Sequence, residues 1–311
     1  MVGTKEMKLS LRMDDNDTLK WEHEGKRYCL HVRQDEHPDD PRGEGDNIDI
    51  MACWHRRYDL GDKTDAKDPE EFWRQLVREN VSYAEIYAAA ESGKLHGIRL
   101  APNEEDPEGI DVYETYYLRT AIGNSEPSEN LEYECLSRDG VVEYIMDDLT
   151  VRHCQTLMEP YAEWLPLWLY DHGGITMSCG TRTGQYADRW DSGQVGWIIA
   201  LKKTIMSEMC VGEDEWRERA VSHMEAVVKE YDQYLTGDTY GFTLYVEDPE
   251  VEERDGNTEW QEVDSCWNFF GDDIMENGIV DSVGFGLLEA IQEGEYEEGR
   301  ATLNTVRFYT F

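Results

Sequence analysis

The residues best equipped for chemistry are concentrated in LYDHGGITMSCGTRTGQYADRWDSGQVGWIIALKK, residues 169–203. Asp171 and His172 are adjacent, Cys179 follows, and Asp188 and Asp191 bracket Trp190 ahead of Ser192. Carboxylates and imidazoles are legitimate ligands for hard or borderline cations. The spacing, however, matches neither the D-x-[DN]-x-[DN]-G calcium loop nor H-E-x-x-H, so no metal is assigned. Ser192 lies in WDSGQVG, which is not the G-x-S-x-G nucleophile elbow. The simpler reading is structural. DHGG reverses the chain between two strands, His172 fixes the reversal by hydrogen bonds, and Ser192 sits in a tight turn packed down by Trp190. Asp171, His172, Asp188, Trp190, Asp191 and Ser192 are thus expected to form a rigid turn. Asp171, His172 and Asp191 are kept as the alternative site of a metal-binding or hydrolytic accessory enzyme.

Other catalytic patterns are weaker. The seven cysteines, Cys29, Cys53, Cys135, Cys154, Cys179, Cys210 and Cys266, form no C-x-x-C pair, which argues against a disulfide framework or zinc ribbon. His153 and Cys154 are neighbours in sequence, a poor geometry for a dyad, and Cys266 in DSCW has the aromatic setting of a buried thiol. There is no Walker A loop, dinucleotide fingerprint or kinase set. No cofactor is expected, and the balance leans away from an enzyme. Trp164, Trp168, Trp190 and Trp197 read as core, because a base-stacking platform comes with basic residues that are scarce here.

The elements that must position these residues are partly legible. KLSLRM (8–13) and RYCLHVR (27–33) alternate like the strands of a hairpin, and IDIMACWH (48–55) reads as a more buried strand. DPEEFWRQLVREN (68–80) starts a helix, with Asp68 as cap and Pro69 in the first turn. SYAEIYAAAESGK (82–94) predicts a second helix, and residues 141–158 a third. WLPLWLY (164–170) and QVGWIIALKK (194–203) are the strongest buried strands. Trp216, Ala220, Met224, Val227, Tyr231 and Tyr234 step by threes and fours along a long amphipathic helix over 213–237, ended by Gly237. Strands follow at 239–247 and around 264–271, then a short helix at 283–292 and a last strand at 302–311. Helices and strands in blocks predict an α+β fold around a mostly antiparallel or mixed sheet. The expected division is an N-terminal α+β part (1–94), an inserted arm or subdomain (95–140), and a central sheet with the long helix (141–311).

Charge is the loudest global signal. Lys plus Arg is 29 against 68 Asp plus Glu, a formal net charge of −39. Ten Trp and 18 Tyr mark a folded chain rather than a disordered acidic tail. A high-salt proteome is expected to avoid Cys and bulky apolar side chains, both plentiful here. Duplex DNA carries one charge per ~1.7 Å of axis, and its binders are Lys- and Arg-lined grooves. Carboxylates at similar spacing would enter such a groove, whereas direct binding to DNA or an anionic membrane is disfavoured. The acids cluster in turn-like strings, and three loops are the candidate contact surfaces. Residues 35–49 contribute Asp39, Asp40, Glu44 and Asp46; 103–111 contribute Glu104, Glu105 and Asp106; 246–256 contribute Glu247, Asp248, Glu250, Glu252 and Glu253. No run approaches the ~20 apolar residues of a membrane span, and MVGTKEMKLSLRMDD lacks a signal-peptide apolar core, so a cytoplasmic protein is expected.

NIDIMACWHRRYDLGD (47–62), LWLYDHGGITMS (167–178), WDSGQVGWI (190–198), YDQYLTGDTYGF (231–242) and DSCWNFFG (264–271) follow in that order. Together they resemble a family of largely uncharacterised proteins carried by phages and mobile elements of Gram-positive, gut-type bacteria. The resemblance spans roughly residues 45–275 and carries over no catalytic residue. With the charge, it implies an anti-defence inhibitor, acting in an infected or lysogenic host on a restriction, CRISPR or other nuclease complex as a DNA mimic. A phage structural or assembly protein is the remaining alternative, and a homo-oligomer is left open.

Overall fold

The computed structural model describes residues 9–43, 45–119, 125–187, 190–247 and 260–301. Among them are eight α-helices and twelve strands in three antiparallel sheets, an α+β fold. The first half of the chain gives β1 (Asp17–His23), β2 (Lys26–Gln34), β3 (Ile50–Cys53), α1 (Pro69–Asn80), α2 (Tyr83–Glu91), β4 (Ile98–Pro102), β5 (Ile110–Arg119) and β6 (Ser125–Leu136). Next come α3 (Arg138–Asp148), α4 (Val151–Met158), β7 (Ala162–Asp171), β8 (Ile175–Cys179), β9 (Ser192–Leu201), α5 (Lys202–Glu208) and α6 (Trp216–Thr236). The last are β10 (Thr239–Glu247), β11 (Trp260–Phe270), α7 (Ile279–Val283), α8 (Leu287–Glu293) and β12 (Tyr296–Arg300). The chain forms two compact units, each discontinuous in sequence: 1–45, 168–193 and 225–311 make one, and 46–167 with 194–224 the other.

The first unit is built on a five-stranded sheet of order β11-β10-β2-β1-β12. Period-two alternation puts Leu19, Leu30 and Leu244 in register across β1, β2 and β10. With Trp21, Val32 and Phe242 they pack against Ile279, Val283, Leu287 and Ile291 of α7 and α8. Burying each such side chain contributes roughly 1.5–3 kcal/mol. The opposite face carries a polar row, Thr18, His31 and Thr243, also in register and buried. Burial and the Arg33 charge hold the His31 imidazole below its usual pKa.

In the second unit, helices α1 to α4 enclose a core with Ala52 of β3 and Ile199 of β9. Trp73 lies at its centre, fully buried and edge-on to Trp164 and Trp197, with ring centroids 5.3 and 6.0 Å away. Helix starts are written locally. Asp68 Oδ1 accepts the Glu71 amide at 2.8 Å with Pro69 next, and Ser82 and Glu85 form a reciprocal capping box. Strands β4, β5 and β6 make a three-stranded antiparallel sheet. Tyr133 of β6 meets Tyr144 of α3 at 4.3 Å. The remaining sheet has the order β3-β9-β7-β8.

Several expectations need correction. The hairpin partner of β2 is residues 17–23, not 8–13: Glu24 and Gly25 take positive φ and turn the chain there. The helix over 141–158 is two helices, because Thr150 caps a second one by accepting the His153 amide. Positive φ at Gly284 and Gly286 divides the helix expected at 283–292. Residues 296–300 supply β12, whose Glu297 and Glu298 pair with Lys20 and Leu19. The strand expected over 302–311 lies outside the described residues.

Candidate functional site: an acidic concave surface

The Asp-His segment is a reversal between β7 and β8, as its glycines require. Gly173 has φ +75°, and the His172 amide donates to the Gly174 carbonyl at 3.1 Å. The Asp171 amide donates to the Asp191 carbonyl at 2.8 Å, and His172 Nδ1 lies 3.2 Å from Asp191 Oδ2. Asp171 thus meets Asp191 through the backbone, and His172 meets it through the side chain. Ser192, by contrast, opens β9 and is bound to the loop: its Oγ donates to the Tyr186 carbonyl at 2.6 Å and accepts from Arg182 Nη2 at 3.0 Å. A hydroxyl engaged this way is a brace. Trp168 belongs to the same brace, with Nε1 donating to the Gly180 carbonyl and the Arg182 guanidinium 5.1 Å from its ring centroid. Trp190 departs from expectation: it is 94 % exposed. Asp188 lies outside the described residues. Among those residues, no three His, Cys, Asp or Glu side chains are grouped to hold a metal ion.

The acidic loops differ in how they are built. In the first, Asp35 accepts the His37 amide at 3.0 Å and the Asn268 amide at 3.3 Å. The Asp39 amide donates to Asn268 Oδ1, and Asp40 Oδ1 accepts the Arg42 amide. Backbone and short side chains fix the loop, leaving Asp39, Asp40 and Asp46 exposed. In the second, Asn103 Oδ1 accepts the amides of Glu105 and Asp106, while buried Asp111 accepts from Asn103 Nδ2 and the Cys135 amide. Glu104, Glu105 and Asp106 point outward. Asp39 and Asp40 belong to the first unit, whereas Asp46 and the second loop belong to the other. Of the third, Glu247 ends β10 and pairs with Arg27 at 3.4 Å. Glu44, Asp248, Glu250, Glu252 and Glu253 lie outside the described residues.

The first unit gathers acids that sequence reasoning left apart. Asn268, at φ +73° in β11, forms a wall shared by two concavities of about 570 Å³ each. One is lined by Asp15, Asp35, Glu36 and Asp39, together with Arg33, His37 and Trp267. The other is lined by Glu230, Asp238, Asp272, Asp273 and Glu276, together with Arg12 and Lys229. Nine carboxylates thus face three Lys or Arg side chains. Arg12 already lies 3.5 Å from Asp272, Lys229 lies 4.0 Å from Glu276, and Arg33 is held over the Trp267 ring. Burial pushes the Glu230 carboxyl above its usual range; burial and then the Asp272 charge do the same at Asp238. Arg42 near Glu230, and Tyr240 and Arg12 near Asp238, offset this only in part, so both groups carry a net electrostatic cost that an incoming cation would lower.

Two of the sequence motifs meet here. A Cβ on Gly241 of YDQYLTGDTYGF would fall 2.1 Å from the Trp267 ring of DSCWNFFG, and one on Gly271 would fall 2.4 Å from Gln233. Asp232 of the first motif accepts the Thr176 hydroxyl and the Met177 amide of β8. The motifs were legible as strings, and GDDIMENG after DSCWNFFG carried the acids at 272, 273 and 276. Their assembly around Asn268 was not legible, since it depends on β11 pairing with β10. The result is an α+β protein with an acidic, concave surface. No family model matches the chain, and no curated protein or solved structure is matched by it.

Proposed function

We propose that this chain is a non-enzymatic acidic inhibitor that occupies a basic, nucleic-acid-binding surface on another protein. The nuclease complexes of bacterial defence are the target class that the resemblance implies. What supports the reading is the pair of adjoining concavities around Asn268, with nine carboxylates against three partly neutralised cations. Carboxylates there stand in for phosphates: docking releases counterions from both surfaces, and the net charge steers the encounter.

The test is capture from a lysate of bacteria carrying nuclease defence systems, eluted at stepped salt, followed by competition with labelled duplex DNA for the captured protein. The expected result is a DNA-binding nuclease that elutes steeply with salt and loses DNA in proportion to added inhibitor. Glu36→Lys with Asp39→Lys weakens that competition by tenfold or more without lowering the melting temperature. Both carboxylates are exposed, and the loop is fixed through the Asp39 amide rather than its side chain. A nuclease that keeps its DNA at saturating inhibitor would refute the proposal.

A further inference from the structure

Phe285 combines an exposed ring with a backbone conformation that disfavours one. It lies between α7 and α8 in Gly284-Phe285-Gly286, where all three residues take positive φ, at +63°, +44° and +71°. Glycine enters that region freely, whereas a bulky side chain there is an outlier. The conformation is held from two sides. Trp21 Nε1 donates to the Phe285 carbonyl at 2.8 Å, and a Cβ on Gly286 would fall 2.2 Å from His23 Nδ1. The rings of Trp21, Tyr28 and Phe285 stack in turn, with centroids 5.6 and 5.1 Å apart. The first two rings are buried, but Phe285 remains 47 % exposed. In α8, Leu287 and Ile291 are buried under the sheet, while Leu288 is exposed as well.

We propose that Phe285 is an apolar knob that docks into a hydrophobic pocket rimmed by Lys or Arg on the basic protein partner. The inference rests on the acidic-inhibitor reading and adds a contact that salt does not screen. Backbone strain persists only where the surroundings over-determine it, and it gathers at binding sites. Here it keeps a half-exposed Phe where Gly or Asn would sit at lower cost. Charge complementarity selects the occupant. Exposed Glu24 follows His23, exposed Asp281 and Glu289 lie on either side of Phe285 in sequence, and Lys26 is the cation of the adjoining hairpin turn. The chain as a whole carries −39. A pocket with an anionic rim, or a second copy of this chain, is repelled by that charge, and a cationic rim is drawn to it. The ring then supplies the desolvated aromatic contact typical of an interface core.

The experiment uses the full chain with two decapeptides of equal charge, alternating Arg-Leu and alternating Arg-Ser, titrated calorimetrically at low salt. Wild type is expected to bind the Arg-Leu peptide more tightly by about 3- to 12-fold, the worth of burying the exposed half of one Phe side chain. Phe285→Asn removes that margin and leaves Arg-Ser binding unchanged. Val263→Thr, at an exposed apolar side chain of β11, keeps the margin. Glu36→Lys with Asp39→Lys weakens both peptides alike. A margin that survives Phe285→Asn overturns the knob while leaving the acidic reading intact, and a lowered melting temperature beside it would assign the ring to the fold alone. A wild type that binds neither peptide overturns both. Should Phe285→Asn fail to fold, hydrogen exchange of wild type decides: the Gly286 to Glu289 amides are protected by the Arg-Leu peptide and not by Arg-Ser, and equal exchange with both overturns the proposal. Phe285-dependent self-association at high salt would make the occupant a second copy and also overturn it.

Discussion

Glu230 and Asp238 set the acid-base behaviour of the concave surface. Their carboxyls are raised by burial, so the folded state holds the proton more tightly than the unfolded chain does. Ionisation therefore opposes folding. The penalty is full above the folded-state pKa values and vanishes as pH falls to the ordinary carboxylate pKa of the unfolded chain. Glu230→Gln and Asp238→Asn are expected to raise the melting temperature at pH 7, with the gain shrinking as melts are repeated toward pH 4. A gain that persists unchanged at low pH would remove the electrostatic explanation. Asp49 in the second unit is a buried carboxylate held by an imidazole. Its side chain is 2 % exposed, and its Oδ2 lies 2.7 Å from His223 Nε2. His223→Ala takes a donor from a buried carboxylate and is expected to cost about 3 kcal/mol by urea denaturation, with His223→Asn costing less. Sequence reasoning had no handle on this pair, because 174 residues separate its members.

Strand contacts explain why particular glycines occupy the motifs. Gly196 of β9 faces Cys53 of β3, and a Cβ there would fall 1.9 Å from the Ala52 carbonyl oxygen. That neighbour is backbone in a paired strand and cannot turn away. Gly196→Ala is expected to cost about 3 kcal/mol or more, or to abolish soluble expression. Gly193, three residues earlier, has nothing within 4 Å of a built Cβ, and Gly193→Ala should stay within about 0.5 kcal/mol of wild type. Equal effects on the two melts would refute the strand-contact account. Nothing in SGQVGW separates the two glycines; the pairing of β9 with β3 does. Helix caps lie at the opposite pole of legibility. Asp68 and Ser82 work within three residues of themselves; Asp68 was read as a cap, and Ser82 opened the expected second helix. The hairpin of β2 fell between: alternation marked 8–13 as a strand, but the turn at Glu24 and Gly25 gave the pairing to 17–23.

At the scale of the molecule the dominant quantity is the net charge of −39. Like charges at this density oppose compaction, and salt screens them over a Debye length of about 10 Å at 0.1 M. The melting temperature is expected to rise between low and moderate sodium chloride, while binding to a basic partner weakens over the same range. A melting temperature that falls with added salt would mean that the surface ion pairs, such as Arg99 with Glu129 at 2.7 Å, outweigh the repulsion. Among the described residues no helix is long and apolar enough to cross a membrane. Each unit has its own apolar core, one under the five-stranded sheet and one among the first four helices.

The sequence by itself determined the fold class, the starts of α1 and α2, the central strands and the acidic character. Each of these follows from composition or from interactions within a few residues: side-chain period, capping and turn chemistry. Tertiary structure alone decided which acids face one another. Asp15, Asp35, Asp238 and Asp272 are far apart in the chain. They line adjoining concavities because β11 pairs with β10 and Asn268 clamps the loop after β2. It also decided that Ser192 is tied to Tyr186 and Arg182, and that Trp190 stands in solvent while Trp164 and Trp197 pack against Trp73. The physical reason is common to these cases. Side-chain type sets what a residue can do, but burial and partners arise from long-range pairing, and no local pattern encodes them.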